Sequence, residues 1–461
     1  MSPRAQDTGH AGRFIQIVAC VAAISGFLYG YDTGIISGAL LQISDDFSLE
    51  HRGQEMVTSA ILVGAVIGAL ICARVSRRLG RRLTIMIVAA IFALGALGAA
   101  FSPTALWLGV ARLVLGFAVG GATQVVPTYI AELAPAGVRG RMVTWFNVSI
   151  GIGILAAALV GSFLQDLWSW RVMFGVGLVP ATLLLISMIW LPDSPRWLVR
   201  QSREDEARQA LARVREDQRA IEKEIDEIKQ VQTREQQEGG WRAVLHPKMR
   251  PALVAGLGVA AFTQLSGIEM MIYYTPTFLR DAGFGDSAAL YSALGVAVVY
   301  LIMTVAGKLV VDRLGRRRLT LLMMPGAALA LLVLGAVFRL HEGGDGASSW
   351  LIVACILVFM IFNAGGIQVV GWLIGSEVYP LAIREQATSL HAATLWGSNL
   401  ILTGTALTMV NALGTGGAMW FYAVLNVLGV LFVWRLVPET KGRSLEQIEQ
   451  SLHEGRFRPG Q

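Results

Sequence analysis

Twelve apolar runs, each about 20 residues or more, leave this chain few ways to fold, because a run of that length crosses a bilayer as one helix. They cover approximately 14–41, 55–74, 83–101, 104–129, 142–164, 171–191, 251–279, 288–311, 319–338, 350–374, 387–411 and 416–436. Lipid offers the backbone no hydrogen bonds, so each run has to satisfy its own as a helix. Composition agrees. Only 15% of residues are charged, where a soluble chain carries about 25%, and the mean hydropathy is +0.57. The pattern predicts an all-α membrane protein with twelve transmembrane helices.

The net charge of +6 sits in short loops between the runs, which argues for topology and against nucleic acid. Arg77, Arg78, Arg81 and Arg82 follow the second run, Arg139 and Arg141 the fourth, and Arg313, Arg316, Arg317 and Arg318 the eighth. The alternate loops carry Asp45, Asp46 and Glu50, then Asp281 and Asp286, then Glu342 and Asp345. The positive-inside rule places the arginine loops, and with an even number of spans both termini, in the cytoplasm. Cys20, Cys72 and Cys355 lie far apart inside apolar runs, a pattern for neither disulfides nor zinc. The first run is too long for a signal-peptide core and is read as a span.

The chain is also duplicated. Arg78-Leu79-Gly80-Arg81-Arg82 returns as Arg313-Leu314-Gly315-Arg316-Arg317. Glu132-x-x-Pro135-x-x-x-Arg139 returns as Glu377-x-x-Pro380-x-x-x-Arg384, and Pro192-Asp193-Ser194-Pro195-Arg196 is answered by Pro438-Glu439-Thr440-Lys441-Gly442. Two matched six-helix halves are the signature of an alternating-access carrier. The expected units are an N-terminal half (1–199), a cytoplasmic linker (200–249), a C-terminal half (250–437) and a cytoplasmic tail (438–461). In the linker, Leu211, Val214, Ile221, Ile225 and Ile228 recur at helical spacing, which predicts amphipathic helices.

A carboxylate at membrane depth is expensive and marks function by default. Asp32 lies deep in the first run and Arg112 deep in the fourth, at similar predicted depths in the same half. Neither charge is stable alone in a low-dielectric bundle, so the two are expected to pair. Protonating Asp32 then discharges the pair and frees Arg112. Glu132, Arg139, Glu377 and Arg384, with Arg81, Arg82, Asp312, Arg316 and Arg317 nearby, stand at equivalent ends of the two halves. They are expected to pair across the halves when the cytoplasmic side closes and to separate when it opens; the alternative is that they only fix topology.

Over almost its whole length the chain resembles the sugar porters of the major facilitator superfamily. The resemblance rests on Gly30-Tyr31-Asp32-Thr33-Gly34-Ile35-Ile36-Ser37-Gly38, the two R-x-G-R-R loops, Pro127-x-Tyr129-x-x-Glu132 and Pro192-Asp193-Ser194-Pro195-Arg196-Trp197-Leu198. It rests also on Gln264-x-x-Gly267 with Tyr273-Tyr274-x-Pro276, and on Pro438-Glu439-Thr440-Lys441-Gly442. It implies a sugar or polyol site between the halves, and proton coupling, because coupled members carry this Asp and this Arg. It places Gln264, Tyr273, Trp372, Trp396 and Asn399 at or beside the sugar. A hydroxyl-rich cargo with one apolar face suits such a mixture of amides and aromatic rings.

The chain departs from the family pattern in several places. Thr263-Gln264 replaces a Gln pair, Glu269 an Asn, Ile154 a Gln, Gln368-Val369 a Gly-Pro pair, Arg77 an acid and Glu385 a Gly. Glu269 is read as an acceptor for sugar hydroxyls, the alternatives being a second proton site or a partner for a cation. His391 is read as a hydrogen-bonded packing residue rather than a proton relay. Ser266-Gly267 is expected to break the seventh span. The resulting reading is a monomeric proton symporter of a hexose, pentose or cyclic polyol in the plasma or inner membrane, without cofactor or metal and without enzymatic activity. A uniporter with Asp32 structural is the alternative, and a non-transporting sugar sensor a weaker one.

Overall fold

The computed structural model describes residues 4–134, 136–164, 167–215, 217–238, 241–340, 349–380, 383–443 and 445–458. At 4–13, 15, 22, 136–144, 231–238, 241–242, 349, 385, 445–446 and 453 it describes the backbone only. The expected loop charges Glu342 and Asp345 therefore lie outside the described residues, as do the side chains of Arg139, Arg141 and Glu385.

The first half of the chain gives α1 (Arg4–Phe47), α2 (His51–Leu79), α3 (Arg81–Ala100), α4 (Ala105–Leu133), α5 (Ala136–Phe163), α6 (Trp170–Val176) and α7 (Leu178–Ile189). Four short or amphipathic helices follow: α8 (Pro195–Arg200), α9 (Glu204–Ala212), α10 (Gln218–Glu238) and α11 (Trp241–Val244). The second half gives α12 (Arg250–Leu265), α13 (Ile268–Asp281), α14 (Asp286–Leu314), α15 (Arg316–Leu340), α16 (Ser349–Ala364), α17 (Ile367–Glu377), α18 (Arg384–Thr403), α19 (Ala406–Leu436) and α20 (Leu445–His453).

Among the described residues, eleven stretches are long and apolar enough to cross a membrane. The twelfth span is α18. It is 20 residues long but more polar, with Ser389, His391, Ser398 and Asn399 buried inside the bundle. Three expected spans are each two helices. The sixth divides at Gly177, the seventh at Ser266-Gly267 as expected, and the tenth at Gly365-Gly366, which hydropathy did not mark. The eleventh expected run is too long at its end: α18 stops at Thr403, and 406–413 joins the twelfth span across a non-helical Gly414.

Small residues set how closely the helices approach. Gly26, Gly30, Gly34 and Gly38 recur every fourth residue, on one stripe of α1, and the backbone of α5 lies against them; a Cβ on Gly26 or Gly30 would collide with the carbonyl oxygen of Phe146 or Ile150. Across the middle of the molecule α1 meets α13, α5 meets α14 and α2 meets α18, and these contacts form the seam between the halves.

The duplicated motifs build the same device twice on one face, called here the basic face. The Asp193 carboxylate accepts from the backbone N–H of Arg81 (2.9 Å), Arg82 (3.4 Å) and Ser194 (2.7 Å), capping the N-terminus of α3. Glu439 does the same for α15, accepting from the N–H groups of Arg316 (2.8 Å), Arg317 (3.2 Å) and Arg318 (3.3 Å). Orphan N–H groups and the helix dipole favour a carboxylate at such a terminus. Burial pushes the Asp193 carboxyl above the usual range, and the N–H groups of Ser194, Arg81 and Arg82 pull it back. On the same face, the apolar stripe expected in the linker packs on Trp197, Leu198 and Val199. Leu211, Ile221 and Ile225 are buried in that cluster and Ile228 is partly so.

Candidate functional site

Asp32 and Arg112 meet. Arg112 Nη1 lies 3.9 Å from Asp32 Oδ2, and both side chains are buried. That distance allows strong attraction but is too long for a hydrogen bond. Asp32 Oδ2 and Arg112 Nη1 and Nη2 have no hydrogen-bond partner. Arg112 is anchored otherwise: its Nε donates to the Val57 carbonyl of α2 (2.8 Å), and its guanidinium lies 5.7 Å from the Phe174 ring of α6. Asp32 is thus the link from this cation to α1.

Tyr29 lies one helical turn from Asp32, on the same side of α1. Its ring meets Trp396 of α18 edge-on at 5.3 Å, and Trp396 Nε1 donates to Thr123 of α4 (3.4 Å). Trp396 therefore joins the halves at the seam. Tyr29 and Trp372 also line a crevice together with Asn147 and Ile150 of α5, Tyr300, Thr304 and Lys308 of α14, and Gln368 of α17.

Glu269 is 2% exposed, in the first turn of α13, with Tyr29, Tyr273 and Tyr300 as neighbours. Glu269 Oε2, Gln264 Oε1 and Asn399 Nδ2 are buried without a hydrogen-bond partner, while Gln368 and Thr304 meet the Tyr300 hydroxyl. Asn399 Oδ1 accepts from the Thr403 hydroxyl at 2.8 Å. Each orphan costs on the order of 1–3 kcal/mol while it stays unmet. Buried groups of this kind are what a bound polar molecule would satisfy. His391 is engaged on both ring nitrogens, Nε2 with the Gly371 carbonyl (2.9 Å) and Nδ1 with the Tyr379 hydroxyl (3.2 Å), as a packing histidine should be.

Among the described ion pairs of the basic face, none crosses between the halves. Arg81 grips Glu132 with Nε and Nη2 (2.9 and 3.0 Å), and Arg316 grips Glu377 (2.6 Å) and Asp312 (2.9 Å). Arg384 donates to the Tyr379 carbonyl (3.3 Å), while Arg82 and Arg317 hold the carbonyls of Met188 and Trp434. Every one of these bonds stays within its own half.

Apart from Trp396–Thr123 at the seam, the described bonds between the halves lie on the opposite face. Asp45 pairs with Arg280 (3.0 Å), and His51 bridges Asp281 (3.3 Å) and Asn411 (2.7 Å). Both Glu55 oxygens accept from Thr408, from its N–H and its hydroxyl, at 2.6 Å each, and the Ser162 hydroxyl donates to the Leu290 carbonyl (3.0 Å). The described bonds between the halves thus latch that opposite face.

Sequence reasoning missed several of these residues. Lys308 could have been found, as an ionisable residue inside the eighth apolar run. Glu55 was visible as an acid at the head of the second. Tyr29, Tyr300 and Thr304 carry no sequence signal; only the packing of four helices brings them together.

Residues 18–452 match the family model described as "Sugar (and other) transporter". A D-xylose transporter of Levilactobacillus brevis is 37% identical over 432 residues, covering 93% of this chain and 94% of its own. The arabinose-proton symporter of Escherichia coli (strain K12) is 35% identical over 460 residues, 99% of this chain and 96% of its own. Among solved structures, the xylose transporter XylE of E. coli in a partially occluded inward-open conformation superposes with a TM-score of 0.81 at 27% identity, covering 94% of this chain and all of that one. An all-helical membrane chain with a polar seam, matched by that family along nearly its whole length, belongs to the sugar transporters of the major facilitator superfamily.

Proposed function

We propose that the protein is a secondary active transporter that couples proton entry to uptake of a neutral monosaccharide or cyclic polyol by alternating access. The observation that carries this reading is the spacing of Asp32 and Arg112. Two opposite charges about 4 Å apart attract by on the order of 4 kcal/mol at an effective dielectric of about 20. Protonating Asp32 removes that attraction while Arg112 keeps its bonds to α2 and α6. The released element is α1, which carries Tyr29 to the seam. Proton binding is thereby tied to the helix that faces the cargo.

The proposed cargo site uses Gln264, Glu269, Tyr273, Trp372, Trp396 and Asn399. The unmet polar atoms supply donors and acceptors for ring hydroxyls, and the two indoles supply platforms for the apolar face of the ring. Relatives named for xylose and for arabinose-proton symport support this class of cargo. The arginine-rich loops support an orientation with the basic face and both termini in the cytoplasm, in the plasma or inner membrane. On that orientation the face latched by described bonds is the outer one, and Glu132, Arg139, Glu377, Arg384, Arg81, Asp312 and Arg316 form the cytoplasmic gate. The carrier works as a monomer in lipid, with a proton and one small hydroxylated molecule as its partners.

The test is uptake by the purified chain in proteoliposomes. Wild type should accumulate a labelled pentose, hexose or inositol when a proton gradient is imposed. Asp32→Asn should lose accumulation and keep equilibrium exchange. An Asp32→Asn protein that still concentrates the sugar would falsify the coupling role.

A further inference from the structure

Three acids are buried near the seam, and two of them are met by the protein. Asp32 has Arg112 as its counter-charge, and Glu55 accepts the N–H and the hydroxyl of Thr408. Glu269, in the first turn of α13 and 2% exposed, is different. Among the described residues no cation acts on its carboxyl, and its Oε2 has no hydrogen-bond partner. Lys308 shares a crevice with Tyr300 but stands eight residues further along α14, about 12 Å by helical rise. A carboxylate buried without a counter-charge costs several kcal/mol. The hydroxyls of a neutral sugar bring hydrogen bonds to it and no charge.

The surroundings of Glu269 are aromatic. Tyr29 of α1, Tyr273 of α13 and Tyr300 of α14 are buried and close enough for their hydroxyls to sense its charge. Two of those hydroxyls are held by other groups: Tyr273 meets Thr33, and Tyr300 meets Gln368 and Thr304. An acid among aromatic rings suits an organic ammonium, because ring faces attract a cation and the carboxylate balances it. Tyr29 and Tyr300 also line the crevice between the halves, so a molecule lodged there meets two of the three rings.

Building on the sugar-carrier reading, we propose that the Glu269 carboxylate binds an ammonium group and that the cargo of this carrier includes amino sugars. An amino sugar keeps the ring hydroxyls that Gln264 and Asn399 are there to meet. It exchanges one further hydroxyl for the single positive charge that Glu269 lacks. A sugar acid is disfavoured by the same argument, since it sets a second negative charge beside the first.

The test is equilibrium binding to the purified full-length chain in detergent at about pH 6, where a sugar amine is charged. The probes are labelled D-glucosamine, D-galactosamine and D-mannosamine, each against its neutral counterpart D-glucose, D-galactose or D-mannose. For at least one pair, wild type should bind the amine about tenfold or more tightly than the neutral sugar, the gain expected of one charge-assisted hydrogen bond. Glu269→Gln should erase that preference and change neutral-sugar binding less than about threefold. Glu269→Asp and Asp32→Asn should keep the preference, the first because it retains the charge and the second because it removes the other acid on the α1 side. These two variants carry the test if Glu269→Gln shows no thermal unfolding transition. The proposal is overturned if wild type binds neutral sugars and prefers no amine, if the preference survives Glu269→Gln, or if Asp32→Asn abolishes it. The first of these leaves the sugar-carrier reading intact. If no member of either panel binds, that reading falls and takes the proposal with it.

Discussion

Gly80 shows how a single residue fixes a whole device on the basic face. It joins α2 to α3 at φ +92°, a backbone region that L side chains rarely adopt, and a Cβ there would collide with Asp193 Oδ2. Its duplicate Gly315 has φ +93° and is closed off by Glu439 in the same way. Both glycines are needed because the capping carboxylate occupies the space where a side chain would be. Gly283 has a similar φ of +87° and nothing within 4 Å of an added Cβ, so it isolates the backbone strain. Gly283→Ala should cost about 1–2 kcal/mol from strain alone. Gly80→Ala should cost about 2–4 kcal/mol, because it also displaces the cap from the three N–H groups it serves. Thermal unfolding of the two variants in the same detergent measures the difference, and equal losses would show that the cap carries no stability. The Asp32–Arg112 pair is a different kind of residue-scale constraint. Each charge costs too much alone, so the pairing was legible before any coordinates. Its loose 3.9 Å geometry was not, because that depends on where Val57 and Phe174 hold the guanidinium.

At the scale of elements, the broken seventh span is the most informative. Gly267 has φ +97°, and the nearest atoms to an added Cβ, on Tyr422, are 3.7 Å away, so only backbone strain opposes a side chain. The free Ser266 carbonyl accepts from Asn426 Nδ2 (2.8 Å), which satisfies the end of α12 and lets α13 leave at its own angle. α13 carries Glu269 and Tyr273 and lies against α1, so it is positioned to move with the proton-linked helix. Gly267→Ala should cost about 1–2 kcal/mol of stability and favour a continuous helix. Its transport kcat should fall about tenfold while KM stays within about threefold, as expected when a hinge is stiffened and the site is kept. A KM that rises with kcat unchanged would assign Gly267 to binding instead. This break was readable because Ser-Gly interrupts an otherwise apolar run ahead of polar residues. The break at Gly365-Gly366 was not, because two glycines between Ala364 and Ile367 leave the hydropathy unchanged. The end of α18 was hidden likewise: Ala406 and Leu407 continue the apolar pattern past a turn that only the backbone reveals. Lys308 went unnoticed because one lysine near the end of a run resembles an interfacial anchor. Only the tertiary fold shows that its stripe of α14 faces the seam.

For the whole molecule, the arrangement of polar bonds defines the state. Every described ion pair of the basic-face gate closes within one half, while the opposite face holds the halves together through Asp45–Arg280, His51–Asp281 and Glu55–Thr408. These latches are not equal. Asp45 and Arg280 are 61% and 36% exposed, and an exposed pair is worth about 0–1 kcal/mol. Glu55 is 5% exposed and caps the first turn of α19 from the other half with two short bonds. Charge-assisted bonds of that kind are worth about 1.5–3 kcal/mol each. Opening this face breaks them, so Glu55 should weigh most in the equilibrium between the two states. Glu55→Gln removes the charge and replaces one acceptor with a donor, and a loss of about 1–2 kcal/mol shifts the equilibrium by about 5- to 30-fold. Ser37 provides the readout: it is 5% exposed on the seam side of α1, among residues lining a cavity toward this face. With Cys20, Cys72 and Cys355 replaced by Ser, a Cys at position 37 should react with an impermeant maleimide from the acidic-loop side several-fold faster in Glu55→Gln than in the parent. Arg280→Gln should change that rate less than about twofold. If Arg280→Gln accelerates labelling more than Glu55→Gln, the exposed pairs hold the latch and the buried cap does not.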